Sequence, residues 1–223
     1  MTQLQAIHAR EIFPCFDQPD MKGIHVNLIN IVLLRLTKCF AKTKLIILLH
    51  CFIAKFQINI GRLHNRTSVS NMPKISLGIK MEDNSDYVWD IYEETPIMST
   101  YTIGMAVLSS NFTYKTRQSR KRNVSVISID NYSINDNETS EIHLSRSDQY
   151  LQFYEDYYND TDSVPKVDSL HAVSGQYAAM ENWGLITYFS TYFGYKSGLP
   201  LLIGHEVAHY WHGNKVTCSN WDE

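Results

Sequence analysis

The sequence predicts an α+β chain made of two successive architectures, strands first and a mixture of strands and helices after. Three patterns carry this. Residues 54–60, AKFQINI, alternate apolar and polar side chains and put Ala54, Phe56, Ile58 and Ile60 on one face of a strand. Strand grammar then continues to about Asn111, through the proline turn of SNMPKISLGIK and the β-branched and aromatic runs of YVWDIYEETPIMSTYTIGMAVLSSNF. Beyond that point helices enter. Residues 141–158 read as a helix with Leu144, Tyr150, Leu151, Tyr154 and Tyr158 as candidate buried positions, and a second helix begins near Pro200, a residue suited to a first turn. Strands flank the first helix, VSVISI before it and the segment around Gly184 after it.

Composition bounds the partners. With 44% apolar and 19% charged residues in 223, the chain has enough to bury a core and is not intrinsically disordered. A formal net charge of −3 argues against a phosphate-binding surface, so no nucleic-acid partner is expected. Four cysteines without a CxxC pair make neither a disulfide scaffold nor a cysteine zinc site. No run reaches 18 uninterrupted apolar residues, and MTQLQAIHAREIF lacks the apolar centre of a signal peptide.

Sequons point outside the cytosol. The pattern N-x-[ST] occurs at Asn65, Asn111, Asn123, Asn131, Asn137 and Asn159, where composition alone predicts roughly two. A glycosylated surface of a secretory-pathway protein accounts for the excess, and an Asn-rich polar loop region matching by accident is the alternative. Residues 24–53 stand apart. Twenty of these thirty are Ile, Leu, Lys, Asn or Phe, and four cations, Arg35, Lys38, Lys42 and Lys44, have no anion among them. The cations split any membrane helix into runs that are too short. A basic amphipathic helix would need its apolar residues on one stripe, and they fall all round. A/T-rich codons encode these five residue types, so an unspliced intron read in frame is the reading favoured for 24–53.

The chemistry concentrates in His205-Glu206-Val207-Ala208-His209. Residues four apart share one face of a helix, so both imidazoles can grip one metal ion, and Glu206 beside the first can reach a metal-activated water as general base. Composition gives roughly one accidental HExxH in sixty such chains. The surrounding LLIGHEVAHYW reads as an apolar helix that would bury its own histidines, and two satisfied core histidines are the bland alternative. Catalytic zinc needs a third protein ligand. His212 lies three residues after His209, but the three cannot easily converge from one straight helix, so His212 reads as a supporting or packing residue.

Four separated motifs make the chain resemble the zinc aminopeptidases of the aminopeptidase N type. They are TQLQAIHAREIFPCFDQPDMK, AKFQINI with SNMP, AAMENWGLITY beside the signature GAMENWGLITY, and HEVAHYWHGNKVT beside HE-x-x-H-x-W-(F)-GN-x-VT. The resemblance implies roles. His205 and His209 match the zinc ligands and Glu206 the general base. Glu181 matches the acid that binds the substrate's free α-amino group, a pairing that would fix cleavage at the first peptide bond. Ala179 falls where backbone runs along the substrate, and Gln5 matches a position lining the pocket for the first side chain. A solvated Glu in an ordinary turn is the alternative for Glu181.

Departures accompany the likeness. Ala178 replaces the first signature glycine, Gln18 precedes Pro19 where an acid is usual, and joining Lys22-Gly23 to Ala54-Lys55-Phe56 restores the pattern that 24–53 interrupts. The family's third ligand, a Glu nineteen positions after the second histidine, would fall beyond Glu223. The expectation is therefore a fragment. Residues 1–112 would be part of a β-rich N-terminal domain and 113–223 a truncated thermolysin-like catalytic domain. The complete catalytic domain would take one Zn²⁺ and remove N-terminal residues from peptides with a free N-terminus, while this chain, lacking a ligand, would be inactive. The parent would face the outside of the cell or be secreted, with any membrane tether outside these residues. A non-catalytic cell-surface glycoprotein acting as a binding protein or receptor is the rival, and a chain with no stable fold the dullest option.

Overall fold

A computed structural model describes residues 22–32, 53–129, 137–160, 164–172, 178–189 and 197–218. Strand predominates, with helix in the second half. The described residues fall into two compact units, one made of those up to Ser110 together with Thr217 and Cys218 and the other spanning Asn111–Val216. Among them no helix is long and apolar enough to cross a membrane.

The first unit is built on a sheet whose central strand is β2, Ile53–Leu63. Its predicted alternation holds: Ala54, Phe56, Ile58 and Ile60 are all at most 1% exposed. Strand β1, Lys22–Val32, runs parallel to β2 on one side. This overlaps the anomalous segment 24–53: its first residues extend alongside β2 rather than forming the basic helix weighed above, and 33–52 lie outside the described residues. Two short strands, β3 (Thr67–Ser70) and β7 (Met105–Leu108), make a separate antiparallel pair. On the other side of β2 come β5, Tyr87–Glu94, and the edge strand β4, Lys74–Lys80, while the short β6, Met98–Ser99, also pairs with β2.

A buried carboxylate organises this unit. Asp90 on β5 is fully buried and receives both arms of Arg62, Nε at 2.7 Å and Nη2 at 2.9 Å. The Ser68 hydroxyl and the Gly78 N–H also donate to it, and Lys74 lies 3.2 Å away. Gly78 sits at φ +71, in the left-handed region that favours glycine, where β4 departs from regular register against β5. Burial by itself would raise the Asp90 carboxyl, but Arg62, Ser68, Lys74 and Gly78 outweigh it and hold it down to about 2.

The second unit is a five-stranded sheet in the order β11-β12-β10-β9-β8. Its members are β8 (Phe112–Gln118), β9 (Asn123–Ile129), β10 (Lys166–Ala172), β11 (Ala179–Met180) and β12 (Leu185–Phe189). β9 and β10 are parallel, so the chain between them must cross over, and it does so through helix α1, Asn137–Tyr158. α1 starts four residues before the predicted 141. Leu144 and Leu151 are buried as expected, but Tyr150 and Tyr154 are only half-buried and Tyr158 is exposed. The buried face is largely polar instead: Thr139, Ser140, His143, Ser147 and Glu155. Glu155 pairs with the buried Arg122 of the β8–β9 hairpin, and His143 packs 4.4 Å from His171 of β10, ring centre to ring centre. A scan for apolar residues at helical spacing passes over such a face.

Helix α2, Leu199–Ala208, has Pro200 in its first turn, as predicted. It approaches α1 at Gly204, where a Cβ would stand 3.3 Å from the Tyr150 ring.

Removing the Asp90 carboxylate leaves the Arg62 guanidinium buried and unpaired. Asp90→Ala is therefore expected to destabilise the first unit by about 3–5 kcal/mol in urea denaturation. Because the folded carboxyl titrates below its ordinary 3.8, its contribution is complete above about pH 4 and is lost as the pH falls toward 2. Asp90→Asn should flatten that acid limb, and an unchanged limb would contradict the assignment.

Candidate metal centre

α2 ends at Ala208, yet His209 keeps helical dihedrals and its N–H bonds back to the His205 carbonyl, so the one-turn spacing of the two histidines survives past the helix end. Their rings converge: His205 Nε2 and His209 Nε2 are 3.1 Å apart. Two nitrogens each about 2.0–2.1 Å from a tetrahedral zinc would stand about 3.3–3.4 Å apart, so the spacing fits a shared ion with a small adjustment. The donors are prepared as well. His209 Nδ1 lies 2.8 Å from the His212 carbonyl oxygen, which can only accept, so Nδ1 carries the proton and Nε2 presents its lone pair. Desolvation and the neighbouring His209 both lower the His205 pKa, with Glu181 opposing, which favours the neutral ring that a metal needs.

The histidines are not buried in an apolar helix as the sequence suggested. His205 is exposed, on a face of α2 that borders an open groove, and His209 is half-buried. The groove, about 640 Å³, has Tyr150, Phe153, Tyr154, Leu201 and His205 among its lining residues. His212 does not turn toward the pair. Its ring nitrogen Nε2 bonds the Tyr158 hydroxyl at 2.6 Å, and only its carbonyl supports His209. Among the described residues no group of three or more His, Cys, Asp and Glu is placed to hold a metal ion.

Two carboxylates accompany the imidazoles. Glu206 points inward and is 4% exposed; burial, and after it the charge of Glu181, push its carboxyl up to about 8. Its Oε2 is buried without a hydrogen-bond partner, the condition of a group suited to meet a cation or a polar ligand. Glu181, between β11 and β12, is 5% exposed, which rules out a solvated turn residue. Its charge acts on both His205 and Glu206, so the structure brings the MENWG segment to the HExxH turn. Ala179 lies buried in β11, paired with Tyr188 of β12. Gln5 falls outside the described residues.

Sequence reasoning missed the residues that join these segments. Asn214 Nδ2 donates to the Glu181 carbonyl at 3.0 Å, and the Gly184 N–H donates to the Tyr210 hydroxyl at 3.0 Å. Asn214 was visible only as part of the GN pair after the second histidine, and nothing marked Tyr210. Of the sequon asparagines, Asn65, Asn111, Asn123 and Asn159 are exposed, Asn137 opens α1, and Asn131 is outside the described residues.

Comparison with known proteins finds two matching family domains. Residues 142–223 match the Peptidase family M1 domain and residues 1–29 the Peptidase M1 N-terminal domain. The chain is 30% identical over 235 residues to the thyrotropin-releasing hormone-degrading ectoenzyme of Rattus norvegicus, covering 100% of this chain and 18% of that protein. It is 28% identical over 244 residues to aminopeptidase N of Bos taurus, covering 100% of this chain and 20% of that protein. It is also 28% identical over 232 residues to endoplasmic reticulum aminopeptidase 1 of Mus musculus, covering 100% of this chain and 21% of that protein. The chain thus spans about a fifth of the length of these curated relatives.

The raised Glu206 pKa has a measurable consequence in metal-free protein. The folded carboxyl keeps its proton to about pH 8 while the unfolded one ionises near 4.5, so Glu206 costs the fold stability as the pH rises between those values. Glu206→Gln should remove that cost. Its stability relative to the parent chain is expected to climb by on the order of 2–4 kcal/mol from pH 5 to pH 8 in denaturant titrations. A difference that stays constant with pH would show that Glu206 is already ionised.

Proposed function

Since the chain belongs to the peptidase M1 family, we propose that it carries the amine-recognition and metal-binding core of a zinc aminopeptidase acting on peptides with a free N-terminus. The observation that carries this reading is the pair of facing Nε2 atoms at 3.1 Å with the buried Glu206 and Glu181 beside them. His205 and His209 would hold the ion, with His209 kept in the correct tautomer by the His212 carbonyl. Zinc, when bound, supplies Lewis acidity toward the scissile carbonyl and acidifies water. Glu206 takes the proton of the attacking water at its carboxylate and can pass it to the leaving amine. Its ionised form, disfavoured by burial in the metal-free chain, is the form that a nearby cation favours.

Glu181 sets where the peptide is cut. A buried carboxylate pairs with the substrate ammonium far more strongly than an exposed one, and a chain anchored by its amine presents its first peptide bond. Ala179, on β11 two residues before Glu181, lies along the substrate backbone, and Gln5 lines the pocket for the first side chain. The second unit is then the opening part of a thermolysin-like catalytic domain and the first part of a β-rich N-terminal domain. The anomalous 24–53 segment, whose composition is that of an unspliced intron read in frame, falls within that domain, and the N-terminal domain match runs into its first residues, to 29.

Exposed sequons at Asn65, Asn111, Asn123 and Asn159 and the ectoenzyme among the relatives support a glycosylated protein facing the outside of the cell.

In zinc-loaded protein, Glu206→Gln should retain zinc while lowering kcat on an amino-acid anilide about 10²–10⁴-fold, the range of a general base. Retained turnover would remove Glu206 from that role.

A further inference from the structure

We propose that Asn214 and Tyr210 are positioning residues that fix the distance between the metal-binding histidines and the Glu181 carboxylate, and so set the preference for substrates with a free amine. The inference rests on the reading of Glu181 as the ammonium anchor. Asn214 bonds both halves of the site. Its backbone N–H donates to the carbonyl of His209 at 3.0 Å, and its side-chain Nδ2 donates to the carbonyl of Glu181 at 3.0 Å. One residue therefore bridges a metal ligand to the amine anchor through two hydrogen bonds and a side chain of two rotatable bonds.

The approach of Asn214 to His209 requires a sharp reversal after α2. Gly213 makes it, at φ +118, a conformation that residues with side chains rarely adopt, and its N–H closes the turn on the Val216 carbonyl at 2.8 Å. Tyr210, directly after His209, adds a second tie. Its hydroxyl accepts from the Gly184 N–H at 3.0 Å, three residues beyond Glu181. Asn214 is 3% exposed and Tyr210 fully buried, so solvent does not replace either bond when it is lost. The two ties flank the Glu181–Gly184 segment and pin it to the turn that carries the second histidine. Loss of one tie lets the carboxylate drift relative to the ion. An offset of that kind damages recognition of the amine before it damages recognition of the metal-directed group.

The test compares a ligand that reports both groups with one that reports the metal alone: leucine hydroxamate against N-acetyl-leucine hydroxamate, with Kd measured by calorimetry at saturating zinc. The unaltered protein should favour the free amine. Glu181→Gln should abolish that preference. Tyr210→Phe, which removes one oxygen atom, and Asn214→Ala should each cut the preference about tenfold while leaving the Kd of the acetylated ligand within about twofold. A structural defect would weaken both ligands together, and that outcome, or a preference retained in both variants while Glu181→Gln loses it, overturns the positioning role and leaves the anchor standing. A preference absent from the unaltered protein, or one that survives Glu181→Gln, overturns the anchor and the positioning role with it.

Discussion

The candidate site depends on the attachment of a buried loop to the end of a helix. HExxH on a helix brings two imidazoles together by periodicity alone, but periodicity says nothing about a carboxylate more than twenty residues earlier in the chain. Glu181 reaches the histidines because the Glu181–Gly184 segment is bonded to Tyr210 and Asn214, both buried. Each bond left unmade in such surroundings would cost about 1–3 kcal/mol, so the segment is held in one place with little freedom to adjust. The sheet supplies the other support. β11 and β12 bracket the segment, and the backbone of Ala178 accepts a bond from Phe189 N–H at 3.0 Å. The first signature position is thus occupied by an alanine without loss of the strand pairing.

Both units solve the same problem, buried polarity, in different ways. In the first, one carboxylate collects an arginine, a hydroxyl, a lysine and a backbone N–H, and its charge is fully compensated. In the second, α1 turns a polar face inward and its partners come from the hairpin and β10: Arg122 for Glu155, the His171 ring for His143. Burial lowers both of those histidines' pKa values, so they stay neutral and pack as aromatic rings. At the candidate metal centre compensation is withheld. Glu206 is buried with an oxygen left unpartnered, a cost that a bound cation would offset.

What was legible in the sequence follows from these contrasts. β2 was readable because alternation is a direct image of one buried face, and the HExxH turn because helical spacing and residue type coincide. Pro200 announced the start of α2. The buried face of α1 was not readable, since Ser140, His143, Ser147 and Glu155 look like surface residues until their partners are known. The exposure of His205 was misjudged for the converse reason: apolar neighbours in sequence did not mean apolar neighbours in space, since Leu201, one turn earlier, is itself 80% exposed. Lys22–Val32 shows a further limit, for a segment with no clear periodicity still extends alongside β2. The side chains of Asn214 and Tyr210 act through hydrogen bonds to backbone, and a backbone partner leaves no trace in the sequence.

On the reading proposed for His205 and His209, their two facing imidazoles bind one zinc ion. Zinc K-edge X-ray absorption on the zinc-loaded protein tests it most directly. Two imidazole nitrogens are expected in the first shell at about 2.0–2.1 Å, with the imidazole scattering halved in His209→Ala. A zinc shell without imidazole, or one unchanged in that variant, would contradict it.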